Sequence, residues 1–239
     1  MKLDILAFGA HPDDVELGSG ATLAKEVSRG RKVGIVDLTR GELGTRGTAE
    51  IRDKEAAEAA KILGVEVRHN MCFADGFFVN DKYHQIELIK IIRKYRPEIV
   101  ICNAVHDRHI DHGKGSSLVS DACFLSGLIK IETLGEDGAN QDAWRPKQVF
   151  HYIQWKNLVP DVVVDVTGFI QNKLDAVFAY KTQFYDENSS EPETPISSKN
   201  FADSIKYRAN DLGRLIGVDY AEGFTVERHV AVNSLFDLK

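Results

Sequence analysis

The sequence has little cysteine, no long apolar run and no block of basic charge. Its 239 residues include three cysteines, Cys72, Cys102 and Cys123, an odd number with no CxxC spacing. That argues against a disulfide framework and describes buried thiols of a reducing compartment. No apolar stretch approaches the roughly 18 residues of a membrane span. The opening Met-Lys-Leu-Asp runs straight into a strand pattern, without the signature of a signal peptide. The expected location is therefore the cytoplasm. The formal net charge is −6, with no basic cluster, which argues against nucleic acid or an anionic membrane as the main partner. What is present is ordinary for a globular chain: 43% hydrophobic and 28% charged residues, enough for one α/β domain across residues 1–239.

The pattern along the chain alternates. Residues 3–7 form an apolar run of strand type, followed by a helical period at Leu17, Ala21, Ala24 and Val27, so that a helix is expected near 16–29. Strand-like residues 33–38 precede a glycine-rich loop at 39–47 and an Ala/Glu-rich helix over 49–63. A weak strand at 65–69 precedes a helix marked by Ile86, Ile89, Ile92 and Tyr95, and residues 99–102 form a fourth strand. A helix is expected over 114–128, strands at 149–155 and 162–166, helices near 168–181 and 201–216, and a closing strand over 222–232. Residues 183–199, with Pro192, Pro195 and four serines, read as a long loop. Repeated strand–helix units call for a Rossmann-like, mostly parallel sheet with helices on both faces.

Two polar stretches interrupt this pattern at strand ends. The first is Gly9-Ala-His11-Pro-Asp13-Asp14-Val-Glu16, and the second is His106-Asp-Arg108-His109-Ile-Asp111-His112. Parallel strands put their carboxyl ends on one edge of the sheet, where ligands of open α/β sheets bind. Two imidazoles and a carboxylate from these loops can hold a divalent metal and leave a position open for water. Asp13 and Asp14, as neighbours, cannot easily both ligate one ion, so one serves as ligand and the other as base. The bland alternative is that one of them only caps the following helix. His69, His84, His151 and His229 have no partner at ligand spacing and read as surface or packing residues, and His106 reads as structural.

Together, Ala10-His11-Pro12-Asp13-Asp14-Val15-Glu16 and His109-x-Asp111-His112 resemble the PIG-L/LmbE family of zinc-dependent N-deacetylases. The family's usual AHPDDE has its Glu directly after the second Asp. Here Val15 intervenes, which resembles the branch acting on N-acetylglucosaminyl-malate in bacillithiol biosynthesis, as do Gly41–Gly47 and Tyr180–Phe184. The resemblance implies one Zn²⁺, or Fe²⁺, on His11, Asp14 and His112. It implies Asp13 as general base, and His109 as oxyanion or amine donor oriented by Asp111 and kept cationic by it. It implies substrate contacts from Glu42, Arg52 and Asp75; Arg46, Arg108 and Lys181 are the candidate cations for an anionic aglycone. A small amino-sugar conjugate is the expected partner, and a homo-oligomer, with the hexamer as one such form, the expected assembly. General N-acetylglucosamine or chitooligosaccharide deacetylation is the alternative within this chemistry.

Three other readings compete. Gly18-Ser-Gly20 and Asp37 suggest a dinucleotide-binding Rossmann protein, but Leu23 stands where the fingerprint needs its third glycine. Two His and one carboxylate also describe a non-haem Fe(II) triad. A non-catalytic binding module is the third, and the complete set of ligands and base argues against it.

Overall fold

The computed structural model describes residues 1–238. One seven-stranded sheet runs through the molecule in the order β3-β2-β1-β4-β5-β7-β6. The strands are β1 (Ile5–Gly9), β2 (Val33–Thr39), β3 (Val67–Phe73), β4 (Ile99–Cys102), β5 (Gln148–Tyr152), β6 (Val162–Asp165) and β7 (Ala221–Val226). Strands β1 to β5 pair in parallel, and β7 runs antiparallel between β5 and β6. The helices are α1 (Asp14–Ser28), α2 (Ala49–Leu63), α3 (Lys82–Tyr95), α4 (Ile110–Ser126), α5 (Ile170–Phe178) and α6 (Lys199–Ile216). The α/β architecture is the one the strand–helix alternation predicts. Among the described residues no helix is long and apolar enough to cross a membrane.

Period-two alternation puts β1 between two cores. Leu6 and Phe8 face a cluster with Leu88, Ile92 and Leu118, under α3 and α4. Ile5 and Ala7 face a second cluster with Leu23, Ala59, Val177 and Ile205, under α1, α2, α5 and α6. The chain goes outward from β1 to β3, then crosses back to place β4 on the other side of β1. The β1/β4 boundary is therefore the switch point of the sheet, where strand ends diverge and leave a crevice.

Several boundaries differ from the sequence pattern. Helix α4 begins at Ile110 rather than near 114, because His109 caps it: its imidazole accepts the Asp111 N–H. Asp111 and His112 thus stand in the first turn of a helix, not in a loop. Strand β7 stops at Val226, where its pairing with Phe150 ends, so residues 227–232 are not strand. Strand β5 ends at Tyr152 and leaves Ile153, Gln154 and Trp155 in the following turn. Helix α1 packs closely on the sheet because of Gly18, where any Cβ would collide with the Tyr152 ring.

Candidate active site

Gly9 ends β1 in a tight turn. A Cβ there would stand 2.9 Å from the His11 carbonyl oxygen, so the loop can fold back only over glycine. Asp13 follows with φ of 118°, a strained conformation for a residue with a side chain. It makes no side-chain cap bond, which disposes of the simple helix-cap reading. The Asp14 carboxylate instead accepts the His11 N–H at 2.9 Å.

The two strand-end loops meet around Asp14. His11 Nδ1 lies 3.5 Å from Asp14 Oδ2, and His112 Nε2 lies 3.1 Å from Asp14 Oδ1. Both imidazoles are held from behind by carboxylates. His11 Nε2 is 3.1 Å from Asp75 and 3.4 Å from Asp111, and His112 Nδ1 is 2.5 Å from Asp107. Carboxylate–imidazole pairs of this kind orient metal ligands and make them more basic. Asn103, at the end of β4, joins the loops: it accepts the Ala10 N–H at 2.8 Å and donates to Asp14 at 3.0 Å. Gln154 donates to the other Asp14 oxygen at 2.8 Å.

The electrostatics suit a cation. Burial opposes charge on Asp14, yet His112 and His11 hold its carboxyl well below the usual range. Burial likewise lowers the affinity of His112 for a proton, but Asp14 and Asp107 outweigh it and raise its pKa to about 9. His11 is raised well above the ordinary value against its own burial, through Asp111, Asp14 and Asp75. A divalent ion satisfies this demand for positive charge by displacing protons from the imidazoles. The donor set therefore fits a metal, and His11, His109 and His112 also bring ligand atoms within 4.8 Å of one another.

Asp13 points elsewhere. Its carboxylate accepts from Arg52 at 3.2 Å, and burial pushes its pKa up to about 7 despite that cation. Arg52 is buried and also donates to the Gly41 carbonyl at 3.2 Å and to the Gln183 amide oxygen at 2.5 Å. It does not pair with Glu55, whose carboxylate goes to Thr182, and it lines the cavity beside Asp13.

The expected His109–Asp111 pair takes a different form. The Asp111 carboxylate binds the Gly76 N–H and Lys114 and faces His11. Only its backbone N–H reaches His109, at 3.2 Å on Nδ1. An acceptor Nδ1 leaves the ring proton on Nε2. Burial and the charges of His11 and His112 lower the His109 pKa.

A cavity of about 510 Å³ opens over these groups. His11, Asp13, Asp14, Arg52, Asp75, Arg108, His109 and His112 line it, and so do Thr194, Pro195 and Ile196 from the 183–199 loop. That loop is a wall of the site. Glu42, Arg46 and Lys181 are not among the lining residues. The Glu42 carboxylate accepts the Arg40 N–H of its own loop and the Asp75 N–H of the loop after β3. Arg46 is buried against the Phe184 carbonyl and the Ser189 hydroxyl. Lys181 is exposed beyond the end of α5. The dinucleotide alternative fails on geometry: Gly18 and Gly20 lie inside α1, and Asp37 is buried in a bidentate pair with Arg68 at 2.7 and 2.8 Å.

Residues 6–123, which carry both motif loops, match the family model described as PIG-L, GlcNAc-PI de-N-acetylase. The chain belongs to the PIG-L family. It is 40% identical over 116 residues to the uncharacterized deacetylase YaiS of Escherichia coli, a match covering 45% of this chain and 61% of that protein. It is 29% identical over 193 residues to the diacetylchitobiose deacetylase of Thermococcus kodakarensis, covering 77% and 71%. The crystal structure of the conserved protein TT1542 from Thermus thermophilus superposes with a TM-score of 0.86 at 36% identity, over 98% of each chain. Within this PIG-L site the sequence pattern pointed past four residues. Asp107 and Asn103 lie in the same strand-end stretch as His109 and have no periodicity of their own. Gln154 is a polar residue just beyond a strand end. Gln183, inside the Tyr180–Phe184 segment that carries the resemblance, reaches Arg52 across 131 positions.

Proposed function

We propose that the protein is a metal-dependent N-deacetylase that removes acetate from an N-acetylglucosamine conjugate. His11, Asp14 and His112 are its ligands for zinc and Asp13 is its base. The observation that carries this reading is the division between neighbouring carboxylates. Asp14 is shared between His11 and His112, while Asp13 turns away to Arg52. The named deacetylase relatives support the same chemistry. When bound, a zinc ion supplies Lewis-acid polarisation of a water and of the acetamide carbonyl.

The remaining work falls to side chains of this chain. Asp13 accepts the proton of the attacking water, and Arg52 keeps its carboxylate directed at that task. The raised pKa of Asp13 matches a group that must take up and then return a proton near neutrality. His109 presents Nε2–H as a donor to the developing oxyanion. Asp13 then passes its proton to the nitrogen, so that the C–N bond breaks to a free amine. Asp75 offers an acceptor to sugar hydroxyls. Arg108, whose guanidinium lies 4.7 Å above the Trp155 ring, is the cation at the mouth for an anionic aglycone such as malate.

The test is acetate release from N-acetylglucosaminyl-malate, N-acetylglucosamine and diacetylchitobiose, before and after chelation and with zinc restored. Acetate should appear only with the metal-loaded protein. Loaded protein that releases none from any of the three would sink the proposal. Metal analysis after aerobic and anaerobic purification separates zinc from iron.

A further inference from the structure

The cavity has two chemically different ends. At the mouth stand exposed Leu43, Gly44, Thr45, Arg108 and Ile110 together with the charged groups already described. Beside Asp14 the lining carries an apolar patch of Leu17, Ile153, Phe201, Ile205, Ala209 and Leu212, with Ser204 and Arg208 on the same helix α6. This apolar lobe adjoins the reacting centre by construction. Leu17 lies one turn along α1 from Asp14, and Ile153 precedes the Gln154 that holds Asp14. Helix α6 presents Ile205, Ala209 and Leu212 along one face, and it is anchored by Arg208 on the Gln154 carbonyl. Over Gly223 the walls come together: a Cβ there would stand 3.3 Å from Ile153 Cδ1 and 3.4 Å from Leu212 Cδ1. The charged pair at the lobe's edge, Lys173 and Glu222, is internally satisfied at 2.7 Å.

Acetate removal leaves such a lobe without an occupant. A sugar ring placed there would bury hydroxyls against aliphatic walls, beside polar groups already bonded elsewhere: Ser204 to the Phe201 carbonyl, Arg208 to the Gln154 carbonyl and Lys173 to Glu222. An alkyl chain loses nothing there and gains from burial. Of the two groups on the scissile amide, only the acyl side carries such a chain. We infer that the lobe is an acyl-chain subsite, and that the protein cleaves N-acyl amino sugars with acyl groups longer than acetyl. The inference rests on the proposed deacetylase reading and extends its substrate class. The reaction keeps its balance: water adds its oxygen to the acyl carbon, the C–N bond breaks, and the acyl group leaves as a carboxylate while the nitrogen takes the proton.

The experiment compares kcat/KM for N-acetyl-, N-butyryl- and N-hexanoylglucosamine in the zinc-loaded protein and in Ala209→Phe and Leu212→Trp, which fill the lobe. Butyryl should exceed acetyl by about tenfold, the gain expected from burying two methylenes. The filled variants should lose that gain and keep acetyl cleavage. A parallel titration of acetate, butyrate and hexanoate by calorimetry reads the lobe without turnover; affinity should rise with chain length in the parent protein and not in the variants. Normal acetyl cleavage with slower butyryl cleavage, or carboxylate affinities independent of length, would overturn the subsite. Failure of all three amides with chain-length-dependent carboxylate binding would strike the deacetylase reading and leave the subsite standing.

Discussion

The two halves of the sheet contribute different things to one cavity. The parallel half, β1 to β4 with α1, α2 and α4, delivers His11, Asp13, Asp14, His109 and His112 from two short stretches at adjacent strand ends, with Arg52 from α2 and Asp75 from the loop after β3. The C-terminal half, β5 to β7 with α5 and α6, delivers Gln154 and the apolar wall, and ties itself down through the Lys173–Glu222 pair. In the first half, function sits in contiguous motifs, because a parallel strand end fixes where its next few residues go. In the second, function sits in single residues spread over sequence, because a wall is assembled from whichever faces happen to meet. Chemistry should therefore fail by point changes in the first half, and stability or selectivity by point changes in the second.

The largest expected loss comes from the first half. His112→Ala removes a ligand to which Asp14 and Asp107 are both directed, and should abolish zinc retention after dialysis, with turnover lost alongside. Elemental analysis showing full occupancy would break the assignment. Asp13→Asn keeps the shape of the loop and removes only the base. Zinc should stay, and turnover should fall by about a hundred- to ten-thousandfold. A drop in metal content in this variant would mean that the roles of Asp13 and Asp14 are not separate.

Asn103→Ala tests the bracket between the loops. Removing an outer partner of a ligand typically weakens metal binding by about 10- to 100-fold. Competition with a chelator measures this directly, and unchanged affinity would reduce Asn103 to a packing residue. In the other half, Lys173→Met leaves Glu222 buried with only the Ala21 and Thr22 N–H groups for company. Breaking a buried pair in this way should cost about 3–5 kcal/mol in denaturant unfolding. Metal affinity should not change, and a parallel loss of zinc would erase the contrast between the halves. The smallest effect belongs to Lys181→Ala. This exposed side chain stands outside the cavity, so stability should shift by no more than about 0.5 kcal/mol. Its kcat/KM for the malate conjugate should equal that of the parent protein, whereas Arg108→Ala should lower that value selectively.

The sequence by itself determined the architecture of the first half and the identity of its reactive groups. Alternating strand and helix periods imply a parallel sheet, a parallel sheet puts strand ends on one edge, and His11, Asp13, Asp14, His109 and His112 follow strand ends. Proximity along the chain was enough because each group lies within ten residues of its strand. The tertiary structure decided which groups act together. It turned the Asp111 carboxylate to His11 rather than His109 and assigned Asp107 to His112. It tied Arg52 both to Asp13 and to Gln183, 131 positions away. It left Glu42, Arg46 and Lys181 off the cavity lining and put apolar side chains beside Asp14. Backbone periodicity is a local property and is legible in one dimension. Partner choice among buried charges depends on directions and distances of a few ångströms between segments that only the folded chain brings together.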